Sequence, residues 1–298
     1  MALNLDIPWH RESWKRFISE SLPNLLERHL PLSSYQVIEQ DAYQFSLKLA
    51  FAFADGEIEI DYDDLPQPDT QGLFCVEGNY RVVVPYPSEV DLEDAQIYCV
   101  GEQLEQFFAE RLSRPPEGMR WDKENVQLWL PIDAWMREFH GGPTSQYLQI
   151  SNWLDRYTHM RRLSLIPIMP EPPQAAPGAL AGSLQAQVFP PQRKGLVCPY
   201  CTPEGHNITR LLHIARGATI KDGQLVRVDD RPINQLGFTA CMVPFLEHDD
   251  TNRALMGINM MRNWQADSDP NLPLHAAGWQ DGYHEKARAH KGNKPEPA

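Results

Sequence analysis

Residues 243–262 read VPFLEHDDTNRALMGINMMR, the stretch with the most specific pattern in the chain. A short apolar run, predicted as a strand, leads into two adjacent acids, Asp249 and Asp250. Either acid is a suitable N-cap, because a carboxylate accepts hydrogen bonds from the free N–H groups of a helix start and favours its positive end. The pattern therefore predicts a helix that begins directly after these acids.

The predicted helix has an apolar face and a polar face. At about 100° per residue, Ala254, Ile258 and Met261 share one side, which requires a core to pack against. The opposite side, with Arg253 beside it, carries Asn252, Met256, Asn259 and Asn263. These polar groups suit an anionic ligand, and Arg253 lies in the first turn, where free N–H groups also favour anions. An ordinary amphipathic helix with a solvated face explains the same pattern equally well.

Length and composition limit the class of protein. The chain has 298 residues, of which 42% are hydrophobic, enough for one large or two medium domains. It contains no apolar run of about 18 residues, so we expect no membrane-spanning helix. The opening residues lack the apolar core of a signal peptide. Five cysteines do not form a disulfide framework in a chain of this size, which favours a reducing, cytoplasmic location.

The net charge of −13 argues against a free-standing, non-specific nucleic-acid binder, which needs a basic surface. It leaves room for a local basic surface within a larger assembly. The 26 prolines and the mean hydropathy of −0.47 predict an irregular, loop-rich architecture.

Helical spacing recurs along the chain. It predicts helices over residues 8–30, where Pro23 argues for a break, over 91–112 and over 145–164. The apolar and aromatic residues 125–137 predict a strand followed by a short helix. Helices and strands are thus both expected.

Strand alternation predicts three hairpins. They are expected over residues 43–62, turning at 54–56, over 73–84, turning at Gly78-Asn79, and within 195–240, turning at Asp222-Gly223. Seven prolines in residues 165–194 predict a long loop.

The cysteine pair Cys198-Pro-Tyr-Cys201 could be half of a zinc site or a redox pair. Zinc needs two more ligands, and His206 and Cys241 are the candidates, but their spacing matches no zinc finger. Two structural cysteines in a turn is the favoured interpretation. Glu247, Asp249 and Asp250 could hold a divalent cation, but helix capping explains two of them more simply. We therefore predict no metal site in this chain.

A small basic cluster, formed by His159, Arg161 and Arg162, closes the predicted helix over 145–164. Cations at a helix C-terminus interact favourably with the helix dipole, and a phosphate contact is the alternative. The sequence contains no Ser-His-Asp signature, no P-loop and no G-x-G-x-x-G.

Four separated blocks, in the family's order, resemble the bacterial DNA-directed RNA polymerase β subunit. GLFCVEGNYRVVV at 72–84 resembles its GTFxINGxERVIV hairpin, and SQYLQISNWLDRYTHMRRLS at 145–164 resembles its rifamycin-pocket segment. GLVCPYCTPEGHNI at 195–208 is similar to its GRVCPIETPEGPNI, and the opening stretch at 243–262 is similar to its fork region. LPLHAAGW at 272–279 resembles the next segment.

The resemblance implies roles for individual residues. Asn252 and Arg253 would face the incoming nucleotide triphosphate as the catalytic residues. Others would lie along the RNA product and the RNA–DNA hybrid: Asn259, Arg262, Gln149, His159, Arg161 and Arg162. No cofactor is expected on this chain, because in the family the catalytic Mg²⁺ is held by aspartates of the other large subunit.

The resemblance also implies an organisation. We expect an α+β protein with an irregular mixture of helices and sheets: a protrusion-like domain with a reduced lobe over residues 1–144, a fork-like domain over 145–264 and a polar segment over 265–298. A complete β subunit is several times longer, and residues 181–185 lack the arginine of the family's fork loop. The chain is therefore expected to be a truncated, divergent relative of the N-terminal half of β.

Two functions follow from that expectation. The first is a component of a DNA-directed RNA polymerase, a nucleotidyltransferase that is active only with a β′-like subunit, the second half of β, template DNA and RNA. The alternative is a non-catalytic paralogue that acts as an interaction or regulatory protein, favoured by the uncharged fork loop and the net charge.

Overall fold

The computed structural model describes residues 7–53, 56–114, 122, 124–168, 191–203, 207 and 210–263. Helices and antiparallel sheets occur together, which confirms the predicted α+β class. The chain divides into two compact units. Among the described residues, the N-terminal unit lies within Asp6–Val83 and Tyr98–Tyr147, and the C-terminal unit lies within Val84–Ile97 and Leu148–Ala298. The domain boundaries taken from the family resemblance stay a prediction.

The N-terminal unit begins with helix α1 (Pro8–Arg16), a π-helical turn (Phe17–Ser21) and helix α2 (Leu22–His29). Pro23 does not interrupt this run, because it lies in the first turn of α2, where a missing N–H is tolerated. The wider π-helical turn directly precedes it.

A three-stranded antiparallel sheet follows, in the order β1 (Leu32–Glu39), β2 (Gln44–Phe53) and β3 (Gly56–Pro66). The predicted hairpin over 43–62 is confirmed, with Leu49 opposite Ile60. Two residues of its predicted turn, Ala54 and Asp55, lie outside the described residues. One face of the sheet is buried in the core of this unit, through Leu47, Leu49, Phe51, Ile60 and Tyr62.

A second sheet joins β4 (Phe74–Val76), β5 (Asn79–Val83) and β8 (Ser145–Tyr147). The predicted hairpin is present, but its turn residues are Glu77 and Gly78, at φ 52° and 76°. The predicted turn at Gly78-Asn79 was therefore wrong by one residue. Two positive φ values are typical of the tight hairpin turn whose twist matches that of its strands.

Helix α3 (Val100–Ser113) is shorter than the helix predicted over 91–112. It begins at Val100 because Cys99 and Glu102 form a capping box. Strands β6 (Tyr86–Pro87) and β7 (Ile97–Tyr98) pair before it.

The remaining helices of the N-terminal unit are α4 (Val126–Trp129) and α5 (Ile132–Gly141). The strand predicted at the start of 125–137 was therefore wrong. The buried residues of α5 recur at helical spacing: Ile132, Trp135, Met136, Phe139 and His140.

In the C-terminal unit, β9 (Arg162–Ser164) pairs with β10 (Leu211–His213), and β11 (Ala218–Lys221) pairs with β12 (Gln224–Arg227). The predicted turn at Asp222-Gly223 is confirmed, with both residues at positive φ. Its helices are α6 (Trp153–Met160) and α7 (Thr251–Arg262). Short 3-10 turns cover Pro191–Arg193, Pro232–Gln235, Ala240–Met242 and Leu246–His248.

Two predictions for this part of the chain were wrong. Residues 145–164 form β8, α6 and β9 rather than one helix, because Asn152 caps a helix that begins only at Trp153. The apolar run before Asp249 forms a 3-10 turn, with Phe245 at φ 56°, rather than a strand. Of the loop predicted over 165–194, residues 169–190 lie outside the described residues. Within the described part of the chain, no helix is long and apolar enough to cross a membrane.

Candidate functional site

Helix α7 begins as predicted. The side chain of Asp250 accepts a hydrogen bond from the backbone N–H of Arg253 at 2.8 Å, which makes Asp250 rather than Asp249 the N-cap. Ala254 and Ile258 are fully buried and Met261 packs beside them. The apolar face predicted from the sequence is confirmed, and it holds the helix in one orientation.

The opposite face of α7 is open to solvent at its start. Asn252, Arg253 and Met256 are exposed, while Asn259 is half-buried. The first turn of a helix presents N–H groups that attract anions. Asn252 and Arg253, the two predicted catalytic residues, are therefore held on a capped helix with their side chains accessible.

The C-terminal end of α7 is attached to the start of α6. The Nδ2 group of Asn152 donates hydrogen bonds to the carbonyl oxygens of Met261 and Arg262, at 2.8 and 3.0 Å. The Oδ1 atom of the same side chain accepts from the N–H of Asp155 and caps α6. One amide thus joins two helix ends.

Arg262 lies at this junction. Its Nη2 donates to Oδ1 of Asn259, and its Nη1 lies 3.5 Å from Nε2 of His213. The two α7 residues predicted to lie near RNA, Asn259 and Arg262, are therefore in direct contact with each other.

The predicted residues around α6 form a second connected set. Nη2 of Arg162 donates to Oε1 of Gln149 at 2.8 Å, and the backbone N–H of Gln149 donates to Nδ1 of His159 at 3.1 Å. His159 and Arg162 are buried, whereas Gln149 is exposed.

Electrostatics link the two sets. Burial, helped by the positive charge of Arg262, lowers the pKa of Arg162 to about 10, and Asp155 opposes this shift. Burial raises the pKa of Asp155, against the charges of Arg262 and Arg162 and the hydrogen bonds of Ser151. Two guanidinium groups, those of Arg162 and Arg262, thus act on the carboxylate of Asp155.

Arg161 points elsewhere. Its Nη2 donates to the carbonyl oxygens of Ala215 and Ala218, at 2.6 and 2.8 Å. Its guanidinium also lies within 6 Å of the rings of Tyr157 and Phe238, and only 6% of the residue is exposed. The hybrid contact predicted for Arg161 stays a prediction, and the structure places its guanidinium in a structural position.

Sequence reasoning missed His213. It lies opposite Arg162 in the β9–β10 pair, and its Nδ1 is 3.1 Å from the carbonyl oxygen of Cys201. Burial, with Arg262 and Arg162 nearby, lowers its pKa well below the usual value. His213 is therefore neutral at neutral pH. Only the pairing of two distant strands reveals it, since LLH is an unremarkable strand sequence.

The candidate metal ligands of the sequence are Glu247, Asp249 and Asp250, and the cysteine pair with His206 and Cys241. In the part of the chain that the structure describes, no group of three His, Cys, Asp or Glu side chains is placed to hold a metal ion. Oε1 of Glu247 lies 3.7 Å from Nε2 of His248, and the carboxylate of Asp250 caps helix α7. Cys198 and Cys201 are both buried, and His206 lies outside the described residues.

No protein-family profile matches the chain. The DNA-directed RNA polymerase subunit beta of Syntrophus aciditrophicus (strain SB) is 26% identical over 230 residues, covering 54% of this chain. The match spans 16% of that protein's length. The chain is thus distantly similar to a β subunit of RNA polymerase, as the motifs indicated.

Proposed function

We propose that this chain is a β-subunit-like component of a DNA-directed RNA polymerase, active only together with partner subunits. The observation that carries the proposal is the structure of helix α7. It combines the specific fork-like motif with a capped start and exposed Asn252 and Arg253, in a chain similar to a β subunit.

In this proposal the first turn of α7 faces the incoming nucleotide triphosphate. The guanidinium of Arg253 would make charge-assisted hydrogen bonds to phosphate oxygens, and Asn252 would add an amide donor. Such donors stabilise the charge that develops during nucleotidyl transfer. Their exposure and the fixed helix orientation support this role.

The junction of α6 and α7 would then lie along the RNA–DNA hybrid. Asn259, Arg262, Gln149 and Arg162 form its polar part, and the two arginines keep it positive beside Asp155. His159 and Arg161, which are buried, would hold this wall in shape. A positive wall attracts the phosphate backbone irrespective of sequence.

The family resemblance also suggests which part of the β subunit this chain represents and which subunits it would bind. The chain would correspond to the protrusion, a reduced lobe and the fork of the N-terminal half of β. A β′-like subunit would supply the aspartates for Mg²⁺, and a further chain would supply the second half of β. The assembly would act on template DNA in the cytoplasm.

The first test is recovery of the tagged protein from its native host, followed by mass spectrometry of its partners. We expect the other large polymerase subunit and a chain that carries the second half of β, together with RNA synthesis by the recovered complex. Recovery of neither subunit would overturn the proposal.

The second test replaces Arg253 by alanine in the assembled complex. Loss of a charged hydrogen-bond donor costs about 1.5–3 kcal/mol, so kcat/KM for nucleotide addition should fall roughly 10- to 150-fold. The matched control is Arg28→Ala, an exposed arginine on α2 in the other unit, which should leave synthesis unchanged. Equal activity of both variants in a fully assembled complex would remove Arg253 from the active centre.

A specific observation favours a second function, a non-catalytic paralogue that regulates or scaffolds a complete polymerase. The guanidinium of Arg161 donates to backbone carbonyl oxygens rather than facing a nucleic acid. The net charge of −13 also disfavours nucleic-acid binding. Under this alternative, the host genome encodes a complete β subunit elsewhere, and the recovered complex contains that subunit beside this chain.

A further inference from the structure

The CxxC motif brings two thiols together in the C-terminal unit. Cys198 and Cys201 are 3% and 1% exposed, and their side chains hydrogen-bond each other. Both face Gly237, where an added Cβ atom would lie 3.1 Å from Sγ of Cys201 and 3.4 Å from Sγ of Cys198. Because Gly237 has no side chain, the two sulfur atoms can pack against its backbone.

The surroundings of the two cysteines differ. The backbone N–H groups of Tyr200, Cys201 and Gly237 hydrogen-bond to the sulfur of Cys198. Burial alone would raise the pKa of the Cys198 thiol, but the Cys201 thiol and these N–H groups outweigh it and lower the pKa to about 7. The pKa of Cys201 is raised by its hydrogen bond to Cys198 and by burial. Cys198 is therefore the more acidic thiol of the pair, and the one that ionises first.

We propose that Cys198 and Cys201 form a redox-active dithiol, which closes reversibly to a disulfide by exchange with a small-molecule disulfide such as oxidised glutathione. The proposal rests on the adjacent thiols, the N–H groups directed at one sulfur and the space left by Gly237. It goes beyond the proposed polymerase function and does not depend on it.

The exchange has two steps. The thiolate of Cys198 attacks one sulfur of the small disulfide, breaks its S–S bond and releases one small thiolate. Cys201 then gives its proton to that thiolate and attacks the sulfur of Cys198, which forms the protein disulfide and releases the second small thiolate. That thiolate takes up the proton that Cys198 lost when it ionised. Two protein thiols and one small disulfide thus become one protein disulfide and two small thiols.

Other groups near the pair have other partners. Sγ of Cys241 donates to the carbonyl oxygen of Ile233 at 3.3 Å, and Nδ1 of His213 contacts the carbonyl oxygen of Cys201. The two residues between the cysteines lie nearer the surface, since Pro199 is exposed and Tyr200 is half-buried. A local opening of this short loop would give a small disulfide access to Cys198.

The dithiol shares a buried cluster with helix α7. Cys198 and Cys201 belong to the same buried cluster as Val243, Ala254 and Ile258. A covalent bond in place of the thiol hydrogen bond changes the packing on which α7 rests. Oxidation should therefore alter amide hydrogen exchange along α7.

The experiment equilibrates the full chain in a series of buffers that differ in their ratio of reduced to oxidised glutathione. Each sample is then quenched with acid and alkylated, and its disulfides are mapped by mass spectrometry. We expect a peptide with both cysteines linked, with an oxidised fraction that follows the two-electron ratio of squared reduced to oxidised glutathione. Cys198→Ser and Cys201→Ser should each abolish this peptide. Cys75→Ser, at a half-buried cysteine of the other unit, should retain it.

Three results would overturn the proposal. One is full alkylation of both cysteines after denaturation at every buffer ratio. Another is a metal ion bound stoichiometrically by the purified reduced chain and released when the two thiols are alkylated. The third is a disulfide that pairs Cys198 or Cys201 with Cys241 instead. If a serine variant fails to fold by circular dichroism, disulfide mapping of the unaltered chain decides by itself.

Discussion

Asn152 shows how much one side chain can determine at the residue scale. Its oxygen caps the start of α6, and its nitrogen satisfies two carbonyl groups at the end of α7. Helix ends leave backbone groups without partners, and a side chain that satisfies both kinds at once orients two helices together. The helix predicted over 145–164 ran through Asn152, so the sequence indicated neither its role as a cap nor its contact with the end of α7.

We predict that Asn152→Ala lowers the free energy of unfolding by about 1–3 kcal/mol, since it removes one N-cap and leaves two carbonyl groups without their donors. Urea denaturation followed by circular dichroism measures the loss. Asn263→Ala, an exposed position directly after α7, is the matched control and should change stability by less than about 0.5 kcal/mol. Equal losses in the two variants would contradict the assigned double role.

The adjacent residues Arg161 and Arg162 contact different parts of the C-terminal unit. Arg161 turns inward to backbone carbonyls, whereas Arg162, at the start of β9, reaches the side chain of Gln149. The sequence predicted one basic cluster with His159. The two arginine side chains diverge because Arg161 is the C-cap of α6, at φ −98° and ψ 16°, whereas Arg162 is the first residue of strand β9.

At the element scale, α7 was predicted most completely. Its start, its buried face and its polar face all follow from residues within the helix and its cap, so no distant contact was needed. The helices predicted over 91–112 and 145–164 were too long, because apolar spacing continued across residues that pair as short strands. Strand pairing depends on partners far away in the sequence, which local periodicity does not contain.

For α7, we predict that Asp250→Ala costs about 1 kcal/mol of stability, because it removes the acceptor for the N–H of Arg253. Asp249→Ala, one position earlier and outside the cap, should cost much less. Hydrogen exchange at the first-turn amides of α7 measures both variants. A larger effect of Asp249→Ala than of Asp250→Ala would contradict the assignment of Asp250 as the N-cap.

At the scale of the whole molecule, each compact unit buries a histidine with a lowered pKa. Burial and the charge of Arg81 lower the pKa of His140 to about 4 in the N-terminal unit. Burial, Arg262 and Arg162 lower the pKa of His213 in the C-terminal unit. An unfolded histidine binds a proton near pH ~6.5, so below that pH the unfolded chain holds more protons than the folded one.

We therefore predict that stability falls as the pH drops below about 6.5, with the His140 contribution lost by about pH 4. That contribution is roughly 3 kcal/mol, from the size of the shift. Thermal unfolding across this pH range should show a shallower pH dependence for His140→Gln than for the unaltered chain. His248→Gln, at an exposed histidine, should keep the original slope, and an unchanged slope in His140→Gln would contradict the assignment.

The sequence by itself determined the α+β class, the three hairpins, the capped amphipathic helix and the similarity to a β subunit. These features depend on residues close together in the chain, namely turn residues, caps and hydrophobic periodicity. The tertiary structure alone decided that His213 meets Arg262, that Asn152 joins two helices, that Arg161 is internal and that Gly237 makes room for the two thiols. Those contacts form between segments distant in sequence, where packing and burial rather than local pattern select the partner.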